Sequence, residues 1–241
     1  MQENLRVFEK RGRRFQNELR ILIQLGKKER NLTPKLLKWD ADLGVIHLEY
    51  VEYNLRYLME RREECKFMVN YSSIPKCITG LMVGLRECGI IHLDLKPENI
   101  LFNPKRQTFM LCDFEFSMLD GDDSRKPELS TSQITPIERF YDQNLVGYFT
   151  DMWALGCILF ELITRVHIFK EGVRVDLEEI ESAFGVYLSG KGVPIITEAT
   201  GLGLLDSRWS AIFERIFCHF HDIRMDVVVL HQMLHERENI M

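Results

Sequence analysis

The stretch that decides the fold is His92-Leu-Asp-Leu-Lys-Pro-Glu-Asn99, or HLDLKPEN in one-letter code. It brings a carboxylate at Asp94, an amine at Lys96 and an amide at Asn99 onto one short segment. A carboxylate can accept the proton of an attacking hydroxyl, an amine can neutralise a migrating phosphoryl group, and an amide oxygen can hold magnesium. The spacing therefore predicts most of a phosphoryl-transfer centre on a single loop.

Two further motifs lie downstream of this loop. The first is Cys112-Asp113-Phe114-Glu115, which directly follows the apolar run 108–112, a run with the composition of a strand. The second is Asp151-Met-Trp153-Ala-Leu-Gly156, which opens an apolar stretch whose length and composition indicate a buried helix. Asp113 is thus a second candidate carboxylate for the same chemistry.

Together these motifs resemble those of the eukaryotic protein kinases, in which they form the catalytic loop, the Asp-Phe-Gly magnesium site and the central helix of the larger lobe. The resemblance implies that Asp94 is the catalytic base and that Lys96 stabilises the transferred group. It implies that Asn99 and Asp113 bind magnesium. A lysine two residues after the aspartate is the serine/threonine pattern, and Thr131 matches a threonine that contacts the same loop.

The resemblance continues upstream of the catalytic loop. Apolar residues at helical spacing from Phe15 to Leu22 predict the long helix of the small lobe, with Glu18 as its ion-pair glutamate. Segments 35–39 and 45–51 predict a strand pair joined by the polar turn 40–44.

The nucleotide pocket and one buried ion pair are implied in the same way. Glu49 and Val51 match the hinge whose backbone hydrogen-bonds an adenine edge, and Leu101 matches a residue of the nucleotide pocket. Glu138 matches a glutamate at the end of the activation segment, and Arg224 matches its arginine partner. Such a buried pair must stay together, because separating it leaves an uncompensated charge.

Several features depart from the family pattern. The first 79 residues contain three glycines and no Gly-x-Gly pair, so no glycine-rich loop is expected over ATP phosphates. Glu115 replaces the glycine after Phe114, which predicts a segment fixed in one conformation, with magnesium affinity altered rather than abolished. Replacing Glu115 by glycine is expected to leave folding intact. Leu93 replaces an arginine that reads a phosphate on the activation segment, so switching by activation-loop phosphorylation is not expected.

The ATP-binding lysine has two interpretations. Residues 5–10 form a strand ending at Lys10, which then binds ATP phosphates and pairs with Glu18. Alternatively, apolar residues from Leu5 to Leu22 line one helix bent at Gly12, because Lys10 precedes Glu18 by only eight residues. The sequence leaves both open.

Composition excludes several classes of protein. The chain is 46% hydrophobic and 28% charged, which is ordinary for a globular domain, and no apolar run reaches the ~18 residues of a membrane span. A cytoplasmic or nuclear location is expected, with six reduced cysteines. Cys112 is either a packed core residue or a site for covalent ligands.

The start of the chain is basic. Residues 1–30 hold nine Lys or Arg against four Asp or Glu, which suits a solvated helix face or an acidic partner. Nucleic acid is not expected as a partner, since no aromatic residues interleave with these charges.

The order of elements, strand-rich at the start and helical afterwards, predicts an α+β fold: a kinase-like pair of lobes with a reduced small lobe over 1–53 and a large lobe over 54–241. Helices are predicted over 54–65, 74–88, 150–164, 177–184, 208–220 and 225–235, with Ser207 capping the fifth.

Two functions from different classes follow. One is ATP- and magnesium-dependent phosphoryl transfer to serine or threonine of a protein substrate. The other is a pseudokinase or decoy that competes with or regulates a partner kinase. A third, mundane interpretation is that the strands of the phosphate loop lie upstream of Met1 in a longer protein.

Overall fold

A computed structural model describes residues 6–28, 31–122, 136–168, 182, 193–218 and 221–236 of the chain. The chain divides into two compact units, Met1–Arg125 and Lys126–Met241. The predicted lobe boundary at residue 53 remains a prediction. The predicted helix 177–184 and Thr131 lie outside the described residues, except for Ser182, which is helical.

Within its described residues, the first unit contains three small sheets and four α-helices. Its strands are β1 (Val7–Arg11), β2 (Leu36–Asp40), β3 (Val45–Glu49), β4 (Tyr53–Asn54), β5 (Ile90–Ile91), β6 (Ile100–Asn103), β7 (Thr108–Leu111) and β8 (Met118–Leu119). Its helices are α1 (Phe15–Gly26), α2 (Leu55–Glu60), α3 (Arg62–Cys65) and α4 (Ile74–Glu87), with short 3-10 helices at Tyr71–Ser73 and Pro97–Asn99.

The first sheet has the order β1-β3-β2 and is antiparallel throughout. β3 is central and buried, as its apolar sequence predicts, and the predicted pairing across the turn 40–44 is confirmed. Residues 7–11 form a strand, so the bent-helix interpretation of the N-terminal segment is wrong. The chain passes from β1 to α1 through residues 12–14, in a turn where the Phe15 N–H donates to the Gly12 carbonyl at 3.3 Å, so eight residues suffice between Lys10 and Glu18.

The catalytic loop, residues 92–99, runs between two of the strand pairs. It follows β5, which pairs with β8, and it ends in the 3-10 turn Pro97–Asn99 that leads into the β6–β7 hairpin. The predicted helix over 54–65 forms but breaks into α2 and α3 at Arg61. The Asn54 side chain caps α2 by accepting a hydrogen bond from the Tyr57 N–H.

The second unit is helical in its described part. Its helices are α5 (Glu138–Tyr141), α6 (Tyr148–Thr164), α7 (Pro194–Gly201), α8 (Ser207–Ile216) and α9 (Val227–His235). Every residue of α6 from Thr150 to Phe160 is buried, as predicted for this helix. α6 and the end of α8 pack closely at Gly156. There is no room for a side chain at this position, since a β-carbon would overlap the Ile216 side chain.

The predicted ion pair between Glu138 and Arg224 forms. The guanidinium donates to both carboxylate oxygens, at 2.7 and 2.9 Å, and also to the Phe149 carbonyl at 2.8 Å. The Arg224 side chain has no exposed surface and that of Glu138 is 5% exposed, so the pair is buried and holds the start of α5 against the chain before α9.

One capping prediction is wrong. α8 begins at Ser207, but the cap is Asp206, whose carboxylate accepts the Trp209 N–H at 2.8 Å. Ser207 already has helical geometry, so its side chain is not the N-cap. No helix in the described part of the chain is long and apolar enough to cross a bilayer.

Candidate active site

The catalytic loop is held together by its own polar groups. Asp94 is buried, and its carboxylate accepts hydrogen bonds from the Lys96 ammonium at 2.8 Å and from the Asn99 amide nitrogen at 3.1 Å. The Asn99 nitrogen also donates to the Asp94 backbone carbonyl at 2.8 Å. Thus the three residues that the sequence singled out do meet at one point. Burial lowers the pKa of Lys96, but the hydrogen bond and charge of Asp94, together with the charges of Asp113 and Glu98, outweigh burial, so the pKa is raised.

The loop is anchored to the segment that carries Asp113. His92 is fully buried; its Nε2 lies 3.1 Å from the Cys112 carbonyl, and its ring packs 5.1 Å from that of Phe114. The Ser117 hydroxyl donates to the His92 carbonyl at 2.9 Å. These contacts fix the catalytic loop relative to Asp113 through buried groups, which is the structural role expected of a core histidine.

Two site residues have left-handed backbone geometry. Leu93 has φ 63° and Asp113 has φ 66°. This region is unfavourable for residues with a β-carbon, and such strain persists only where surrounding contacts fix the backbone. Leu93 is also buried, so the side chain that replaces the expected arginine serves packing instead.

Lys10 lies at the centre of a cluster of charges with Glu18, Asp113 and Glu115, referred to below as the Lys10 cluster. The ammonium lies 2.8 Å from Glu18 Oε2, 2.7 Å from Asp113 Oδ1 and 3.2 Å from Glu115 Oε1. The three carboxylates each have an oxygen within 4.8 Å of the other two. One cation therefore serves three carboxylates, and the Lys10–Glu18 ion pair that the strand interpretation required is present.

The pKa values in this cluster follow from burial and partners. Burial alone lowers the pKa of Lys10, but Glu18 and Asp113 outweigh it and the pKa of the lysine is raised. Burial raises the pKa of Glu18 in spite of Lys10, because the carboxylate is 1% exposed. The pKa of Asp113 is lowered, since Lys10 outweighs the effect of burial on this more exposed group.

Glu115 has a structural partner that the sequence did not predict. Its carboxylate, 20% exposed, adds the third ion pair to Lys10. It also fills the space above Gly12, where a β-carbon would overlap Glu115 Oε1. Gly12 and Glu115 are therefore complementary: the absence of a side chain in the β1–α1 turn makes room for the carboxylate that replaces the family's glycine.

Asn17 is a site residue that the sequence analysis missed. It is buried on α1, and its amide nitrogen donates to the carbonyls of Glu115 and Ser117, both at 2.9 Å. Beside it, the Glu18 carboxylate accepts the Phe114 N–H at 3.3 Å. The sequence did carry one signal for it: Asn17 is a polar residue next to Glu18, on the face of α1 that is otherwise apolar and buried. Asn17 joins α1 to the segment after Asp113, as expected if that segment keeps one conformation.

The residues predicted to line the nucleotide pocket all lie in the first unit, at the end of β3, just after it, and on β6. Glu49 ends β3, and its carboxylate pairs with Arg106 at 3.0 Å. Val51 follows two residues later, and its N–H has no hydrogen bond to any described residue. Leu101 is half-buried between the buried Ile100 and Phe102, so it faces away from the core side of β6. Their nucleotide contacts remain predictions.

Cys112 fits the packing role better than the covalent one. Burial raises the pKa of its thiol to about 12, with the neighbouring Asp113 carboxylate adding to the effect. A thiol reacts as the thiolate, so this cysteine is unreactive at neutral pH.

Comparison with known proteins agrees with these motifs. Residues 5–198 match the protein kinase domain. The chain is 30% identical over 164 residues to a probable cyclin-dependent serine/threonine-protein kinase of Dictyostelium discoideum, which covers 66% of this chain and 11% of that protein. It is 29% identical over 154 residues to cyclin-dependent kinase G1 of Arabidopsis thaliana, a match that covers 62% of this chain and 24% of that protein. A probable serine/threonine-protein kinase of Encephalitozoon cuniculi is 29% identical over 163 residues, a match that covers 66% of this chain and 49% of that protein. The matched region thus spans less than half of each of these relatives.

A solved structure supports the fold. The yeast RNA polymerase II CTD kinase CTDK-1 complex contains a chain that superposes with a TM-score of 0.71 at 17% identity, covering 94% of this chain and 83% of that one. The predicted α+β fold is therefore confirmed. The chain belongs to the eukaryotic-type serine/threonine protein kinase family.

Proposed function

We propose that the protein transfers the γ-phosphoryl group of ATP to serine or threonine of a protein substrate, with magnesium as the cation. The observation that carries this proposal is the convergence of Lys96 and Asn99 on the buried carboxylate of Asp94. Burying a carboxylate is unfavourable unless it is paired, and perturbed ionic groups gathered at one point are typical of functional sites.

The residues present suit a magnesium ion. Asn99 uses its amide nitrogen on Asp94, which leaves the amide oxygen to coordinate. Asp113 uses Oδ1 on Lys10 and keeps Oδ2 for a metal. Both are hard oxygen ligands of the kind magnesium prefers. Magnesium held by Asn99 and Asp113 would supply positive charge that neutralises the nucleotide phosphates.

The protein's own groups would orient the substrate, accept its proton and bind the nucleotide. Asp94 orients the substrate hydroxyl and accepts its proton. Lys96, already 2.8 Å from Asp94, stabilises charge that develops on the transferred group. Lys10 holds the nucleotide phosphates, and Glu49 and Val51 hold the adenine edge through their backbone.

The first test is binding. At a hundredfold excess of ATP over its dissociation constant, with magnesium present, we expect stabilisation of about 2.7 kcal/mol. For a chain of this size this corresponds to a rise in the unfolding midpoint of roughly 5–10 °C. Asp113→Asn should remove the magnesium-dependent part of the shift, measured by thermal denaturation. Asp120→Asn, an exposed aspartate on the same segment, is the matched control and should keep it.

A second test addresses Glu115. Lys10 has three ammonium protons and three carboxylate partners, so a phosphate must compete with one of them. Glu115→Gln keeps the size of the side chain, removes its charge and frees Lys10 for the nucleotide. We expect magnesium-ATP to bind about tenfold more tightly, by isothermal calorimetry, which is about 1.4 kcal/mol. Gly12→Ala should act in the same direction, since its β-carbon displaces the Glu115 carboxylate. Weaker binding in both variants would show that Glu115 assists the nucleotide.

The decoy function is the second candidate. It is favoured by the occupation of Lys10 by three carboxylates and by the lack of a Gly-x-Gly pair before residue 79. In either case we propose a protein as the partner, whether substrate or kinase, in the cytoplasm or nucleus. Absence of any magnesium-dependent shift at millimolar ATP would favour the decoy.

A further inference from the structure

Arg139, on α5 in the second unit, is a buried charged residue that the proposed mechanism does not use. It is 3% exposed. Its Nη2 donates to the Gln143 carbonyl at 3.0 Å, and its Nε is buried without a hydrogen-bond partner. A guanidinium carries five N–H donors. Among the described residues, the Gln143 carbonyl is therefore the one acceptor for five donors.

The carboxylates next to Arg139 in the chain are engaged elsewhere. Both oxygens of Glu138 accept hydrogen bonds from Arg224, at 2.7 and 2.9 Å. The Asp142 carboxylate accepts the Asn144 N–H at 2.9 Å, within the turn that follows α5. Burial lowers the pKa of Arg139, and the charge of Glu138 offsets this effect only in part. Arg139 and Arg224 thus share one buried carboxylate, and Arg139 has no ion pair within the described part of the chain.

A buried cation without a counterion is unfavourable, and such groups are typical of sites that bind a ligand of opposite charge. Access to this one comes from the turn after α5. Residues 141–144 are exposed, and the guanidinium contacts the backbone of this turn at Gln143. The Nη end of Arg139 therefore lies just beneath the protein surface, where an anion can reach it.

The geometry of the guanidinium selects an oxyanion. Its planar fork donates pairs of parallel N–H bonds to carboxylate or phosphate. With one donor on Gln143, four N–H groups of Arg139 are left for a ligand. A phosphate group presents three acceptor oxygens and nearly two negative charges, whereas a carboxylate presents two oxygens and one charge. Phosphate therefore satisfies more of these donors and balances the buried charge more strongly.

We propose that Arg139 is the centre of a phosphate-binding site in the second unit, beneath the turn formed by residues 141–144. The phosphate is either free in solution or carried by a phosphorylated side chain of a peptide, and the chemistry of recognition is the same for both. This site is independent of the proposed phosphoryl transfer, so either can fail without the other.

The first test is the unfolding midpoint of the full chain in Tris chloride and in sodium phosphate of equal ionic strength, without magnesium or nucleotide. At about tenfold excess of phosphate over its dissociation constant, we expect a saturable rise of roughly 3–6 °C. Arg139→Met keeps the apolar stem but lacks the donors, so the rise should be lost. Arg215→Met removes an exposed arginine of α8 and is the matched control, which should keep the rise.

A second readout separates binding from a structural role of the arginine. In Tris chloride, Arg139→Met should unfold at the midpoint of the original protein or above it, because the substitution removes a buried charge that has no counterion. A structural arginine would behave in the opposite way. An Arg139→Met variant that is less stable in chloride, or that fails to fold, overturns the proposal.

Isothermal calorimetry then identifies the source of the phosphate. Inorganic phosphate is compared with acetyl-Gly-Ser-Gly-amide phosphorylated on its serine. Tighter binding of the peptide indicates a phosphorylated protein segment, and tighter binding of inorganic phosphate indicates the free ion. Arg139→Lys keeps the charge but loses the fork, and should weaken either ligand about tenfold or more. The proposal is overturned if neither ligand binds, if Arg139→Lys binds as tightly as the original protein, or if acetate binds as tightly as phosphate.

Discussion

Replacing Asp94 by asparagine should lower the rate of phosphoryl transfer about 10²–10⁴-fold, the usual contribution of a positioned general base. Asparagine retains the shape of the side chain and can still accept a hydrogen bond from Lys96, but it cannot take the substrate proton. Binding of magnesium-ATP should remain within a few-fold of the original. Single-turnover transfer from radiolabelled ATP to a serine/threonine peptide measures the rate, and calorimetry measures binding.

The matched control for this substitution is Glu98→Gln. Glu98 lies on the same loop but is exposed, and its partner is Arg56 on α2 rather than a group of the site. The control should transfer phosphate at the original rate. Transfer that is robust in Asp94→Asn would refute the mechanism, because Asp94 is the carboxylate that both Lys96 and Asn99 hydrogen-bond.

Replacing Lys10 by methionine should lower the free energy of unfolding by about 3–5 kcal/mol, the range for breaking a buried ion pair by removing one partner. The loss is large because three carboxylates then lie within 4.8 Å of one another with no cation among them, and Glu18 is 1% exposed. Chemical denaturation measures the change. Lys96→Met is the comparison and should cost less, since it leaves a single carboxylate that Asn99 still hydrogen-bonds.

Proton uptake gives this prediction a second readout. Without Lys10, the pKa of Glu18 rises further and the pKa of Asp113 is no longer lowered, so the folded variant binds protons more readily than its unfolded chain. Its stability then increases as pH falls, and the difference from the original protein should shrink between pH 7 and pH 5. Glu18→Gln added to Lys10→Met should restore part of the loss. A difference that is constant with pH would show that Lys10 stabilises through packing of its stem instead.

Much of this site could be predicted because its residues are close in sequence. Asp94, Lys96 and Asn99 lie on one loop, so their spacing already determines that they meet. The buried helix α6 and the pair Glu138–Arg224 were predictable for a related reason: a long apolar run and a recognisable motif each have few structural solutions.

The remainder depended on contacts that are distant in sequence. Glu115 lies 105 residues from Lys10 along the chain, and nothing in either segment indicates that they pair. Asn17 was missed because the sequence does not show which backbone carbonyls its amide contacts, although a polar residue on the apolar face of α1 was a signal. Lys10 was ambiguous because a sharp turn at Gly12 is a property of the backbone, and the helical periodicity of the flanking residues competed with it. The N-cap of α8 is Asp206, one residue before the predicted Ser207, and an error of one residue is ordinary for a helix boundary.

The most direct test of the central claim is phosphate incorporation into a degenerate serine/threonine peptide library, with the phosphorylated residue identified by mass spectrometry. The account predicts magnesium-dependent phosphate on serine or threonine with the original protein and more with Glu115→Gln at subsaturating ATP. It predicts at least about a hundredfold less with Asp94→Asn, and none above background with Asp113→Asn. Incorporation that is absent from both the original protein and Glu115→Gln, under conditions where magnesium-ATP is shown to bind, would contradict the account.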